Sequence, residues 1–433
     1  MRKLMFATTV LGMSIASSSF AATQIEWWHA MGGANGEKLN EIVKEFNDSQ
    51  TQYKVDPVFK GTYTETMTSA IAAFRAHKQP AIVQVFEVGT ATMMAAKGAV
   101  YPVYKLMKDT KADFDPSAYL SSVTGYYSDV DGNMLSMPFN SSTPVLYYNK
   151  EMFKKAGLTS APKTWEEVES YSKKLLASGA QCGFTTGWQS WVQLENLSAR
   201  HDVPFASKDD GFAGLDTNLL LNGPLQVMHI GKMREWQQNG IFSYGGRRSD
   251  SAPKFYSQQC AMYTGSSSAF GGMTRNAKFD FGVSSLPYWA SEVKQPNNTI
   301  IGGASLWILQ GKDKAEYQAA AAFLHFLSTP EIQAQWHQFT GYLPITHAAY
   351  ELTKKEGFYQ SHPGTEAAVL QMTASEPTVN SRGLRLGNFV QIRDVINGAL
   401  ESVWSGKESP QAALDTAVKR GDVLLRKFEK AHN

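Results

Sequence analysis

The chain has 433 residues, of which 43% are hydrophobic, 12% aromatic and 18% charged, a globular composition that excludes disordered, collagen-like and coiled-coil-rod classes. That length exceeds one comfortable core and predicts two lobes. Lys and Arg number 41 against 39 Asp and Glu, with no basic run, so nucleic acid is not expected as the partner: its binding needs clustered cations that neutralise phosphates.

Residues 1–22 read as a secretory signal peptide. Arg2-Lys3 is its positive start, Leu4 to Ala16 its apolar stretch, and Ser19-Phe20-Ala21 or Phe20-Ala21-Ala22 its small-residue cleavage site. The apolar run is shorter than the ~20 residues of a spanning helix, and no cysteine follows it to carry a lipid. A soluble bacterial periplasmic protein is expected. Removal of Arg2 and Lys3 with the leader balances the remaining charges.

Leu39, Ile42, Val43 and Phe46 fall at helical spacing, Tyr53 to Phe59 reads as a strand, and Met67, Ile71 and Phe74 predict the face of a second helix. Ala81 to Phe86, nearly all apolar, reads as a strand covered on both faces. This order argues for an open α/β sheet. Pro144 to Tyr148 is strand-like, and Thr164-Trp165-Glu166-Glu167 is a capping box opening a helix through Val168, Ser172 and Leu175. Thr329-Pro330 and Ser409-Pro410 start further helices. The last ~100 residues look mainly helical, with a stripe through Leu400, Val403, Trp404, Leu414 and Val418. Cys182 and Cys260, the two cysteines, suit one disulfide or two buried thiols, and cannot make a four-ligand zinc site.

Motifs for catalysis and cofactors are absent. There is no phosphate-binding G-x-x-x-x-G-K-[ST], no G-x-G-x-x-G after a strand and no H-E-x-x-H, so no cofactor and no metal are expected. Gly265-Ser266-Ser267-Ser268-Ala269 approaches a nucleophile elbow but lacks its second glycine.

Several segments suit a ligand. Glu87 directly follows the apolar strand, where open α/β sheets bind ligands, and a carboxylate there accepts bonds from hydroxyls or simply caps the next helix. Asn140-Ser141-Ser142-Thr143 and Gly265-Ser266-Ser267-Ser268 combine small hydroxyl donors with exposed amides, a pattern of anion sites and also of ordinary turns. Gly302-Gly303-Ala304-Ser305 permits close backbone approach. Arg382, Arg385 and Arg393 are candidates for a bidentate phosphate contact. Among the aromatics, Tyr63, Trp188 and Tyr342 lie near these segments and could stack on a ligand or pack a core.

Tyr147-Tyr148-Asn149-Lys150, Pro162-Lys163-Thr164-Trp165-Glu166-Glu167, Gly302-Gly303-Ala304-Ser305 and Gly341-Tyr342-Leu343-Pro344 resemble the extracellular solute-binding proteins that feed ABC transporters, the group containing maltose-binding protein. Four longer stretches are similar to its periplasmic glycerol-3-phosphate-binding branch: Phe86 to Met94, Phe139 to Tyr148, Gly187-Trp188-Gln189 with Trp191 to Asn196, and Gly383 to Asn388 with Gln391-Ile392-Arg393. The resemblance implies a monomeric α/β protein of two lobes, each an open, mostly parallel sheet flanked by helices. Lobe 1 would be 23–140 plus 283–330 and lobe 2 would be 141–282 plus 331–433, with a hinge near 139–144 and 281–285. It implies capture of glycerol-3-phosphate, or of glycerophosphodiesters such as glycerophosphocholine, and delivery to the membrane permease of an ABC transporter. Its ligand contacts fall on Tyr63, Glu87, Ser142, Ser266, Gly303, Tyr342 and Arg393, with Trp188 as a stacking wall. Arg393, both serines, the Gly303 amide and tyrosine hydroxyls would hold the phosphate, and Glu87 the glycerol hydroxyls. Removal of the Arg393 side chain would abolish binding and leave the fold intact. An oligosaccharide-binding protein and a periplasmic phosphodiesterase using Ser266 or Ser267 are the alternatives.

Overall fold

The computed structural model describes residues 21–432. The expected leader therefore lies, for residues 1–20, outside the described residues. Two sheets organise the chain. The first contains β1 (Thr23–His29), β2 (Tyr53–Phe59), β3 (Ile82–Phe86), β4 (Val100–Tyr101) and β5 (Met137–Ser142). The second contains β6 (Pro144–Asn149), β7 (Cys182–Thr186), β8 (Cys260–Ser266) and β9 (Phe281–Ser285), and β10 (Gly302–Leu309) returns to the first. The strand orders are β2-β1-β3-β10, with β4 and β5 both on β10, and β7-β8-β6-β9.

Residue chemistry places these strands. Every β3 side chain is buried, as its apolar run requires. β2 lies at the sheet edge, where Pro57 can lack an N–H without breaking a ladder. The two-lobed α/β architecture is as expected, but one detail is corrected: the sheets are mixed, not mostly parallel. β1 runs parallel to β2 and β3, and β7 to β8, whereas β10 is antiparallel to β3, β4 and β5, and β6 to β8 and β9. The reversed strands β6 and β10 are those with which the chain enters the other sheet.

Thr143 separates β5 from β6 at the first crossing. Its hydroxyl lies 2.5 Å from that of Thr299 in the second crossing. Gln371 ties both together, donating to Thr143 Oγ1 at 3.0 Å and Pro144 O at 2.6 Å and accepting from Leu286 N at 3.0 Å. Cys182 and Cys260 face each other on adjacent strands, Cα atoms 4.6 Å apart, and are disulfide-bonded.

The helix Gly33–Ser49 buries Leu39, Ile42, Val43 and Phe46. The Thr164 capping box opens Trp165–Ala177, with Thr164 Oγ1 accepting from Glu167 N at 3.1 Å. The helix Tyr63–Arg75 forms where predicted but is turned: Thr66, Met67 and Ala70 are buried, while Ile71 is exposed. Small residues on that face let the helix approach β3 closely. The helices Phe389–Trp404 and Pro410–His432 pack on each other and on Pro224–Gln238 beside the second sheet, and Lys314–Leu327 packs on β1 and β2.

Candidate functional site

The carboxyl ends of β3, β5 and β8 and the amino end of β10 converge on a cavity of about 220 Å³ between the sheets. All eight residues singled out from the sequence line it: Tyr63, Glu87, Ser142, Trp188, Ser266, Gly303, Tyr342 and Arg393.

On the first-sheet side, Tyr63 opens its helix behind a Thr62–Glu65 capping box and stacks on Phe86, ring centres 5.3 Å apart. Its hydroxyl accepts from Asn140 Nδ2 at 2.8 Å. Glu87 begins a 3-10 turn immediately after β3 and is buried. Ser142 ends β5 and pairs with Gly302 across the ladder, so both contribute to the cavity wall. Gly303 has φ +93°, and a Cβ there would stand 1.9 Å from Asn140 O, so no other residue fits this close strand approach. Tyr342 follows the helix Pro330–Thr340, which Gly341 closes at φ +80°. Its ring stacks on Trp336 at 5.6 Å, and His337 Nδ1 hydrogen-bonds its carbonyl.

The second-sheet side is charged and irregular. Ser266 ends β8, and its Oγ lies 2.7 Å from Ser268 Oγ and accepts from Ser268 N at 3.2 Å. Trp188 is half-buried and holds φ +50°, a left-handed conformation costly for a bulky side chain. Bonds from its N–H to Arg248 O at 2.9 Å and from Nε1 to Ser249 Oγ at 3.2 Å fix it there. Arg393 projects from Phe389–Trp404. Its Nε and Nη2 donate to the two oxygens of Glu195 at 2.9 and 2.6 Å, and Nη1 donates to Glu87 at 2.7 Å, bridging the two sides. Burial pushes the Glu87 carboxyl up, and Arg393 only partly offsets this. For Arg393 the two carboxylates outweigh burial and hold the guanidinium charged. A guanidinium has five N–H donors; the three bonds to glutamate leave one N–H on each terminal nitrogen for an oxyanion.

Glu195 lies within the similar stretch Trp191 to Asn196, and nothing in the sequence singles out its carboxylate. It ends a π-helical turn, Trp191–Glu195, and such turns recur at functional sites. The turn breaks the 3.6 period, which hid the position of its carboxylate. Arg382 and Arg385, the other candidates for the phosphate contact, stand outside the cavity, over the Phe212 ring. Arg385 Nη2 donates to the carbonyls of Gly125, Tyr126 and Ser128. Asn35 also lines the cavity, unmarked by any sequence pattern.

The family model for bacterial extracellular solute-binding proteins matches residues 41–367. The chain is 52% identical to the sn-glycerol-3-phosphate-binding periplasmic protein UgpB of Yersinia pseudotuberculosis, over 98% of this chain and 97% of that one. It is 51% identical to the protein of the same name from Salmonella typhimurium, over 97% of each. Among solved structures, UgpB from Mycobacterium tuberculosis in complex with glycerophosphocholine superposes with a TM-score of 0.79 at 22% identity, covering 94% of this chain and 99% of that one. The GacH receptor of Streptomyces glaucescens, solved unliganded and with acarbose, gives 0.78 at 17% identity, covering 94% and 100%. At such identities these two speak to the fold.

Proposed function

The chain belongs to the bacterial extracellular solute-binding proteins, and from that membership we propose that it is the periplasmic binding component of an ABC importer that captures sn-glycerol-3-phosphate between its lobes. The observation that carries this reading is the Arg393 guanidinium, fixed by Glu195 and Glu87 with two N–H groups to spare, in a cavity also lined by Ser142, Ser266, Tyr63 and Tyr342. The spare N–H groups and the hydroxyls suit phosphate oxygens, since charge-assisted bonds in a desolvated cleft are the strong ones. Glu87 faces the same cavity as an acceptor for the glycerol hydroxyls, and its charge disfavours a second phosphate. Trp188 walls the carbon chain or, in glycerophosphocholine, the quaternary ammonium. Affinity near micromolar, roughly −8 kcal/mol, is expected for one small charged ligand. The permease of the transporter is the partner that receives it.

We assign binding without turnover. Ser266 Oγ bonds within its own turn, to Ser268 Oγ and from Ser268 N, rather than to a base that would activate it. A thermal-shift panel tests the reading. Glycerol-3-phosphate and glycerophosphocholine should raise the Tm of the purified protein, by about 2.7 kcal/mol of stability at a hundred times Kd, while maltose leaves it unchanged. A shift with maltose and none with the phosphate esters, or hydrolysis of a chromogenic diester that stops on Ser266→Ala, would overturn it.

A further inference from the structure

Gln84 interrupts the apolar run of β3 and is fully buried, as is Asn140 on β5. Neither lines the cavity. Buried amides are costly unless hydrogen-bonded, and the bonds made by these two have a direction. The Ala30 backbone N–H, which can only donate, reaches Gln84 Oε1 at 2.8 Å. The Gln84 amide nitrogen therefore faces Asn140 and donates to its Oδ1 at 2.8 Å. The Asn140 nitrogen then donates to the Tyr63 hydroxyl at 2.8 Å. Side-chain amides are ordinarily ambiguous between oxygen and nitrogen; a backbone donor at one end settles each link. With its oxygen accepting from Asn140, Tyr63 must direct its own proton elsewhere, toward the cavity and the adjoining Tyr342 hydroxyl. Tyr342 in turn points its proton at Met31 Sδ, 3.8 Å away, a weak acceptor that an oxyanion readily replaces.

We propose that Gln84 and Asn140 are positioning residues that fix the Tyr63 and Tyr342 hydroxyls as donors into the cleft, and so select a ligand group that only accepts, the oxygens of a phosphate ester. This rests on the phosphate-ester reading above. The relay explains why a glutamine stands in the middle of an otherwise apolar strand. In Gln84→Glu the ionised carboxylate accepts both from Ala30 N–H and from Asn140. Asn140 turns over, and its carbonyl takes the Tyr63 proton away from the ligand. At lower pH the protonated acid donates to Asn140 again and the native direction returns.

Calorimetric titration with glycerol-3-phosphate decides the matter on four proteins: wild type, Tyr63→Phe, Gln84→Glu and the double variant. Each single change should weaken binding about tenfold or more, the scale of one hydrogen bond to a charged group. The double variant should lie within about twofold of Tyr63→Phe, and the Gln84→Glu loss should shrink as pH falls. Repulsion by a new charge would act as strongly without the Tyr63 hydroxyl as with it, so two losses that multiply in full overturn the proposal. So does a Gln84→Glu protein that binds like wild type. Gln84→Met, uncharged and of similar length, should show the same dependence on Tyr63, and thermal melts of each variant establish that it is folded. Wild type that ignores glycerol-3-phosphate would instead overturn the functional reading itself.

Discussion

On the first-sheet side of the cleft, Tyr63, Ser142 and Gly303 sit on regular elements, Ser142 and Gly303 in the β5–β10 ladder and Tyr63 held by neutral hydrogen bonds running back through Asn140 and Gln84. On the second-sheet side, Trp188 holds a left-handed backbone, Glu195 ends a π-helical turn and Arg393 carries the charge. The first wall sets which atoms donate; the second supplies the attraction and the strain. Glu87 crosses between them, because its carboxylate leaves the end of β3 to reach Arg393. A cleft built this way presents a fixed pattern on one lobe and a charge on the other, so the ligand's phosphate can complete a contact that the two lobes otherwise make with each other.

The sharpest way to break this contrast is Arg393→Ala. Loss of the guanidinium should weaken glycerol-3-phosphate binding by a hundredfold or more. It also leaves Glu87 and Glu195 buried without a countercharge, so the expectation of an unaltered fold gives way to a destabilisation of about 3–5 kcal/mol, read by urea unfolding. The disulfide lies on the same lobe but away from the cavity. Cys182→Ser with Cys260→Ser should cost up to about 4 kcal/mol for a loop of 78 residues, with calorimetric affinity unchanged. A loss of affinity there would show that the second sheet, and not the local charge cluster, sets the site.

Acid acts on both walls. Burial lowers His201 and His337 to about 4 and His229 to about 3, whereas in the unfolded chain they titrate near 6.5. Below pH 6.5 the unfolded chain binds protons that the native chain refuses. The stability contributed by these histidines is therefore complete above that pH and falls as pH drops toward 4, by on the order of 1 kcal/mol per histidine per pH unit, outweighing the single opposite contribution of Asp210, which burial raises to about 7. Urea melts at pH 7 and pH 5 measure it. His201 accepts from Trp289 N at 2.9 Å and His229 accepts from Trp289 Nε1 at 3.0 Å, so Trp289 fluorescence should report the second lobe loosening. The smallest effect is expected from Trp188→Asn. Asn tolerates the left-handed backbone, so the Tm should hold within a few degrees while affinity falls about tenfold through loss of the ring.

Much of this fold is legible in the sequence, and the exceptions have physical causes. β2 appears as Tyr53–Phe59, as read, because its β-branched run is short and bounded. β5 and β10 are not visible as strands at their cleft ends, where Asn140-Ser141-Ser142 and Gly302-Gly303 look like turns. Small and polar residues are normally depleted in strands; here they are tolerated because the strand ends face a cavity and approach one another closely. Apolarity alone puts Ile71 on the buried face, but Thr66 and Ala70 occupy that face, since close packing favours small side chains there. The eight cavity residues come together from eight separate stretches of chain, and periodicity could not have joined them; strand-end position and side-chain chemistry mark them singly as candidates, and the resemblance joins them into one set. Glu195, Gln84 and Asn140 act through other residues, and only their distances reveal them.

The most direct test is a crystal structure of the complex with glycerol-3-phosphate. The phosphate is predicted within hydrogen-bond distance of both terminal nitrogens of Arg393 and of the Ser142 and Ser266 hydroxyls, with Glu195 still gripping the guanidinium from behind. A phosphate bound elsewhere, with Arg393 engaged by the two glutamates alone, would contradict the account.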